Sequence, residues 1–374
     1  MNKILITGGA GFIGLNLTNA LLKRGFKVTI LDSVNEQIHG NNDFSYLSNV
    51  PNLKFIKGDI TDKSIWRDLL FLNDTIIHLA AETGTGQSMY KIENYIKTNV
   101  YGTSIMLDLL TNIKHSIKKV IVASSRALYG EGKHFCIQHG VVYPNTRSSV
   151  HMDKRDFECK CPICMKPVET MATDESSLIN PISVYGISKY NQEQLVLTVC
   201  KSLGIQSLAF RFQNVYGPGQ SLINPYTGIL SIFTNLIRNN KDLNIFEDGL
   251  ESRDFVYIDD VVNALIIGIE NNFLSYEAYN VGSGIRSTVL EVASNLIALL
   301  KSKTQIKVTG NYRVGDIRHS YADLSKVSNE LGFKPRTDLF SGLNKFILWA
   351  NKQNMTENSY DKSIEELKEK GFYK

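Results

Sequence analysis

The opening MNKILITGGAGFIG constrains the fold of this chain more than any other stretch. KILIT (3–7) reads as a short buried strand. Glycines follow at positions 8, 11 and 14, and residues 11–25 carry the apolar period of a helix that stops at a glycine. A strand, a glycine turn and a helix in this order make the start of a dinucleotide-binding βαβ unit. The missing side chains allow a tight turn, close backbone approach to a pyrophosphate and close contact of helix with strand. The helix N-terminus offers free N–H groups and partial positive charge to phosphates.

The pattern continues. KVTILD (27–32), LKFIKGD (53–59), TIIHLAA (75–81) and KKVIVASS (118–125) read as further strands separated by helical stretches. Near-continuous apolar strands of this kind suit a parallel sheet covered on both faces, so the expected fold is α/β, a Rossmann-type doubly wound sheet. Asp32 ends the second strand, where a carboxylate binds a ribose diol and repels a 2′-phosphate; this favours NAD over NADP. Asp59 and Ile60 follow the third strand and could border an adenine, although Asp59 also suits a plain helix-start turn. Helices are expected over 183–204, ended by Gly204, and over 257–270 with Asp259 as N-cap, with a strand QSLAFRF (206–212) between them. The expected organisation is a cofactor domain at 1–214 holding an irregular insertion at 131–180. A smaller substrate lobe follows at 215–354, with 253–285 returning to the first domain. Residues 355–374 form a polar tail with a short helix.

Composition narrows the partners. The 374 residues carry a net charge of +4 with the basic residues scattered, which does not suggest a nucleic-acid surface. No apolar run reaches a membrane span, and the apolar N-terminus lacks the form of a signal peptide, so a cytoplasmic protein is expected.

Tyr185 and Lys189 form Y-x-x-x-K on one face of a predicted helix. A nearby ammonium favours the phenolate and lets a tyrosine act as a base near neutral pH. Ser124 and Ser125 end a strand at the carboxyl edge of the sheet, where ligands bind.

TGGAGFIG, HLAA, SSRALYG, YGISK, RFQNVYGPGQ, RDFVYIDD and YRVGD occur in this order. The set resembles the extended short-chain dehydrogenase/reductase family and, within it, the nucleotide-sugar epimerases. The resemblance implies Ser125 as catalytic hydroxyl, Tyr185 as base and Lys189 as its activator. It places Gly8, Gly11, Phe12, Ile13, Gly14, Leu79, Ala80, Ala81 and Ser124 along the cofactor. Asn99, in TNVYGT, matches a supporting position beside it. Asn214, Arg253 and Arg313 look like binders of a substrate diphosphate, two arginines gripping it with forked, charge-assisted hydrogen bonds. Gln213 stands where many relatives have an aromatic, so sugar specificity does not transfer directly.

Arg126 and Ala127 follow the catalytic serine where sugar 4,6-dehydratases carry an acidic pair, and xylose-forming decarboxylases also place an acid there. The expected chemistry is therefore 4-epimerisation of a nucleotide sugar. Tyr185 takes the 4-hydroxyl proton, hydride leaves C4 for NAD, the flat ketone turns over, and hydride returns to its other face. AAETGTGQSMY (80–90) and RFQNVYGPGQSLINPYTGIL (211–230) resemble the dTDP-L-rhamnose 4-epimerase subgroup. That implies a dTDP-6-deoxyhexose substrate, a role in surface-polysaccharide sugar supply, and a homodimer built through helices such as 88–112 and 184–203. Glu82, Thr83, Gly84, Gln87 and Arg126 are candidates for the sugar side. A 4-keto-sugar reductase using NAD(P)H is the alternative, and a non-enzymatic redox-sensing Rossmann protein a third.

The stretch between Ser125 and Tyr185 is longer than this scaffold needs, and it holds most of the cysteines. Cys136-Ile-Gln-His139 and Cys161-Pro-Ile-Cys164 are two short chelating pairs that together make a Cys₃His set suited to structural zinc. Cys159 could replace one member, and His134 and His151 are spare candidates; a free-thiol loop is the other reading. Four protein ligands leave no open position for catalysis. The insertion is expected to fold as a lid over the mouth of the sugar site.

Overall fold

The computed structural model describes residues 3–40, 42–226, 228–354 and 360–374. Seven parallel strands form one sheet in the spatial order Tyr276–Val281, Gln206–Phe212, Lys119–Ser125, Thr75–His78, Lys3–Thr7, Lys27–Asp32, Leu53–Lys57. The chain starts in the middle of the sheet, winds outward to one edge, then crosses beside its first strand and winds to the other edge. That reversal, between Thr7 and His78, opens a crevice at the carboxyl ends of the strands.

Strand periodicity explains why both faces are filled. Ile4 and Ile6 point into one core with Leu17, Ile30, Phe210, Val261 and Leu265. Leu5 points into the other with Leu31, Trp66, Met106, Val122 and Val196. Each fully buried aliphatic side chain contributes roughly 1.5–3 kcal/mol, so neither face can be left open to water.

The helix Val184–Leu203 begins where the Ser183 hydroxyl accepts from Gly186 N at 3.1 Å and ends at Gly204 in the left-handed conformation. The helix Ile258–Glu270 differs from expectation at its start. Its N-cap position is Tyr257, with no side-chain cap; Asp259 lies in the first turn, and Asp260 instead accepts from Arg336 N and Thr337 N. The helix expected at 88–112 runs without interruption from 92 to 112 but changes its winding on the way. Ile92–Tyr95 and Thr103–Asn112 flank a wider π-helical turn, Ile96–Gly102.

The second lobe contains the helices Ile229–Arg238, Val289–Leu299 and Leu339–Ala350 with small sheets around them. Ser252–Tyr257 pairs there with Asn214–Tyr216 and Arg286–Thr288, whereas Tyr276–Val281 is the outer strand of the large sheet.

The insertion is not irregular, as its lost periodicity suggested. His134–Cys136, Gly140–Val142 and Glu169–Thr170 form a three-stranded antiparallel sheet. Strands of two or three residues are too short to show a period of two. Residues 360–374 carry the expected short helix, Tyr360–Glu369, and are tied back to the molecule where Tyr312 and Lys374 exchange backbone hydrogen bonds. Residues 355–359 of the expected tail lie outside the described set. Among the described residues no helix is long and apolar enough to cross a membrane.

Candidate functional site

A cleft of about 1210 Å³ runs along the carboxyl edge of the sheet and between the lobes. Its floor is the glycine loop. Gly8 has φ +67°, and a Cβ at Gly14 would lie 2.6 Å from Gly8 O, so the helix can approach the first strand only with glycine there. Phe12, Ile13, Asp59, Ile60, Leu79, Ala80 and Ala81 line the same channel. The Asp32 carboxylate closes its far end, accepting from Ala10 N (3.0 Å) and Val34 N (2.9 Å). His39 Nε2 lies 3.2 Å from Asp32 Oδ1, a partner that sequence spacing did not suggest. Asp59 faces the channel and also makes the turn considered for it, accepting from Thr61 N and Oγ1 at 2.8 Å each.

The strand Lys119–Ser125 and the helix Val184–Leu203 bring Ser125 and Tyr185 to the same stretch of the cleft, and the Ser125 hydroxyl, which accepts from Ala127 N at 3.2 Å, acts on the phenol. Withdrawal from water raises the Tyr185 phenol, while the Ser125 hydroxyl and the positive charge of Arg126 pull it back. Lys189 was expected to be the cation acting on this phenol. Here its ammonium is wholly enclosed and donates to Gln192 Oε1 at 2.6 Å, one turn further along the helix, and burial pulls its pKa down to about 7. Gln192 continues to Thr103 Oγ1 (2.9 Å), and His78 completes the buried chain with bonds to Thr103 (2.9 Å) and Thr7 (2.8 Å). Burial, with the charge of Lys189, pushes His78 down to about 3, so its imidazole is neutral. Tyr95 packs edge-on to Tyr185, centroids 6.4 Å apart.

Ser124 lines the cleft, and its hydroxyl donates to Glu193 at 2.6 Å, which also holds Arg211. Asn99 sits in the π-helical turn, fully buried. Its amide joins Glu82 N (2.7 Å), Glu82 O (3.1 Å) and Ser188 Oγ (2.9 Å), which fixes the cleft wall without facing the cleft. Single π-turns of this kind recur at functional sites. Glu82, Thr83 and Gly84 line the cleft. Gln87 lies behind them, buried and paired with Gln37 at 3.0 and 3.1 Å.

Three arginines from three segments line the other half. Arg126 Nε donates to Asn214 Oδ1 at 2.6 Å. Arg253 donates to the carbonyls of Ser252, Ile317 and Arg318 at 2.7–2.9 Å. Arg313 is held by Asp316 at 2.8 and 2.7 Å. Burial and the neighbouring charge of Arg253 lower Arg126 to about 9. Such a cationic wall favours an anion. Sequence reasoning missed one further wall: Tyr360, Ser363, Ile364 and Leu367 of the last helix line the cleft, and Glu366 accepts from Tyr90 (3.0 Å) and from Tyr226.

None of the described residues between 131 and 180 lines the cleft, which corrects the expectation of a lid. The insertion instead packs behind the arginine segment 310–323. Its own tip brings four ligand atoms, of Cys136, His139, Cys161 and Cys164, within 4.8 Å of one another. A tetrahedral zinc ion imposes edges of roughly 3.8 Å between sulfurs and 3.6 Å between sulfur and nitrogen. The observed separations are 3.7 Å for Cys136–Cys164, and 3.5 Å from His139 Nδ1 to both Cys136 and Cys161. The donor set therefore fits that metal. The spare candidates are engaged elsewhere. Cys159 is buried beside Glu131 and Arg147, His134 faces Gly132 O and Thr170, and His151 faces Asp156.

The family model for the NAD dependent epimerase/dehydratase family matches residues 4–151 and 163–282. A dTDP-L-rhamnose 4-epimerase of Burkholderia thailandensis is 35% identical over 93% of this chain and 94% of its own length. The UDP-glucose 4-epimerase of Thermotoga maritima, solved with UDP-glucose, is 28% identical with a TM-score of 0.75, covering 94% of this chain and 99% of that one. The UDP-glucuronic acid 4-epimerase of Bacillus cereus, solved with UDP-glucuronic acid and NAD, has 26% identity, a TM-score of 0.75 and the same coverage.

Proposed function

This chain belongs to the NAD dependent epimerase/dehydratase family, and from that premise we propose that it is an NAD-using nucleotide-sugar 4-epimerase. One observation carries the reading: Ser125, Tyr185 and the arginine wall line a single cleft, and Arg126 stands where a dehydratase would need an acid. Gly8, Gly11, Gly14 and Asp32 would hold NAD, which supplies an acceptor for the C4 hydride and returns it. Tyr185 takes the proton of the 4-hydroxyl and gives it back, so no proton is gained or lost over a turnover. Ser125 holds the reacting oxygen. Arg126 supplies the positive charge that favours the phenolate, while Lys189 is turned to Gln192. Arg253 retains two unused N–H donors and Arg313 three, enough to hold a diphosphate while the flat ketone turns over.

The substrate we favour is a dTDP-6-deoxyhexose such as dTDP-L-rhamnose, the sugar named for the Burkholderia relative, in a route supplying surface polysaccharides. The protein would act as a cytoplasmic homodimer. The four-ligand tip would hold one structural zinc with no open position. The test is incubation with a panel of dTDP- and UDP-sugars, read by NMR for inversion at C4 without added reductant. Net consumption of NAD(P)H with no inversion would replace the epimerase with a reductase.

A further inference from the structure

The insertion lies outside the cleft, yet it is tied to the residues that build the arginine wall. We infer that Arg147 of the insertion, with Glu131 and Glu158, positions the segment 313–318 and so sets the two-arginine grip on the substrate diphosphate. This rests on the reading of Arg253 and Arg313 given above and adds to it the residues that aim them.

The chain of contacts is continuous. Arg147 has only 4% of its side chain exposed. Its guanidinium donates to Asp316 O at 2.8 Å, Phe157 O at 3.1 Å, Glu131 at 3.2 Å and Glu247 at 2.8 Å. Asp316 in turn holds Arg313 through its carboxylate. Glu131, equally buried, accepts from the backbone N–H of Arg318 at 2.7 Å. The carbonyls of Ile317 and Arg318 are those that orient Arg253. Both candidate phosphate arginines thus hang from one short segment, and the insertion grips that segment at two backbone atoms.

The Arg318 side chain makes a third tie. It is wholly buried and bonds Glu158 of the insertion at 2.9 and 2.6 Å, alongside Glu247 and Asp248 of the second lobe. A small apolar contact of Met152, Phe157 and Tyr312 seals the same junction. At the far end of the insertion Thr173 N donates to Tyr321 O, and Thr173 O accepts from Asp323 N. Buried charges that are each satisfied by several partners permit one arrangement, since any displacement strands a charge without a partner. A displacement of such supports by a fraction of an ångström changes how well a fork meets its anion.

Two full-length variants test this, Arg147→Lys and Glu158→Gln. Lysine keeps the charge but cannot serve four acceptors in a plane. Titration calorimetry with dTDP and UDP should show affinity falling roughly tenfold in Arg147→Lys and less in the half-exposed Glu158→Gln. The KM for nucleotide sugar should rise with it, while turnover at saturation, NAD content and zinc content stay at their wild-type values. A merely structural role would lower all of these together and lead with the unfolding temperature; that pattern overturns the inference. Unchanged diphosphate affinity in both variants also overturns it while leaving the epimerase reading in place. A wild-type protein that binds neither diphosphate removes the reading of Arg253 and Arg313, and the inference with it.

Discussion

Tyr185 is the residue on which the proposed chemistry turns. Its phenol is raised by its surroundings and lowered by Ser125 and Arg126, so two hydrogen-bonding or charged neighbours prepare it before any ligand arrives. Tyr185→Phe removes one oxygen from a half-buried ring and leaves the edge-on packing with Tyr95. It should fold and bind NAD, and turnover should fall by about 10²–10⁴. Turnover close to wild type would take Tyr185 out of the mechanism. Glu251 makes a second, separable prediction. It is buried at the cleft, its Oε2 lacks a hydrogen-bond partner among the described residues, and burial together with Glu247 raises its carboxyl to about 7. A folded pKa above the unfolded value of 4.5 means that the folded state holds the proton more tightly. The associated stability is present in full below pH 4.5 and is lost as pH rises through 7. Between pH 5 and 8 this amounts to about 2 kcal/mol. Glu251→Gln should remove that slope from urea unfolding measured across the range; an unaltered slope would show that the carboxyl ionises freely.

The small hairpins of the insertion show what an element can and cannot do alone. Cys136 to Gly140 and Cys161 to Lys166 are each closed by local hydrogen bonds, His139 N to Cys136 O at 3.2 Å and Cys161 N to Lys166 O at 2.8 Å. Strands this short bury only Cys136, Val142 and Cys161 as a cluster, too little apolar surface to offset the entropy of ordering the loop. Metal coordination linked to folding would supply the difference. Cys164→Ser should therefore lower zinc content and loosen residues 131–180 to hydrogen exchange, while the seven-stranded sheet and NAD binding persist. Elemental analysis of unmodified protein never exposed to chelator is the direct check, and well under one zinc per chain would leave only a free-thiol loop.

Across the whole molecule, the chain ends contribute to one cleft. Its first strand supplies the glycine loop, and its last fifteen residues supply a wall. Phe372 and Lys374 pair through their backbones with Val314 and Tyr312, on either side of Arg313. Deleting residues 360–374 should spare NAD binding, which uses the opposite half of the cleft, and raise KM for nucleotide sugar by about tenfold. An unchanged KM would mean that the last helix only covers the cleft and does not shape it.

Period and spacing by themselves determined the parallel sheet, the glycine loop, Asp32, the Tyr185–Lys189 pair and both chelating pairs. Each is a local pattern, one or two turns or one strand long, and the physics that reads it acts between near neighbours. Tertiary structure alone decided the rest. Lys189 turns to Gln192 and not to Tyr185 because both share a sealed polar chain with Thr103 and His78, from elements far apart in sequence. Gln87 was counted with the sugar-side residues, yet it pairs with Gln37, fifty residues away, and lies behind the cleft wall. The insertion became a brace and not a lid because Arg147, Glu131 and Glu158 meet partners that arrive a hundred or more residues later, at Glu247 and Arg318. A buried charge must find its partner somewhere in the fold, and no spacing along the chain says where.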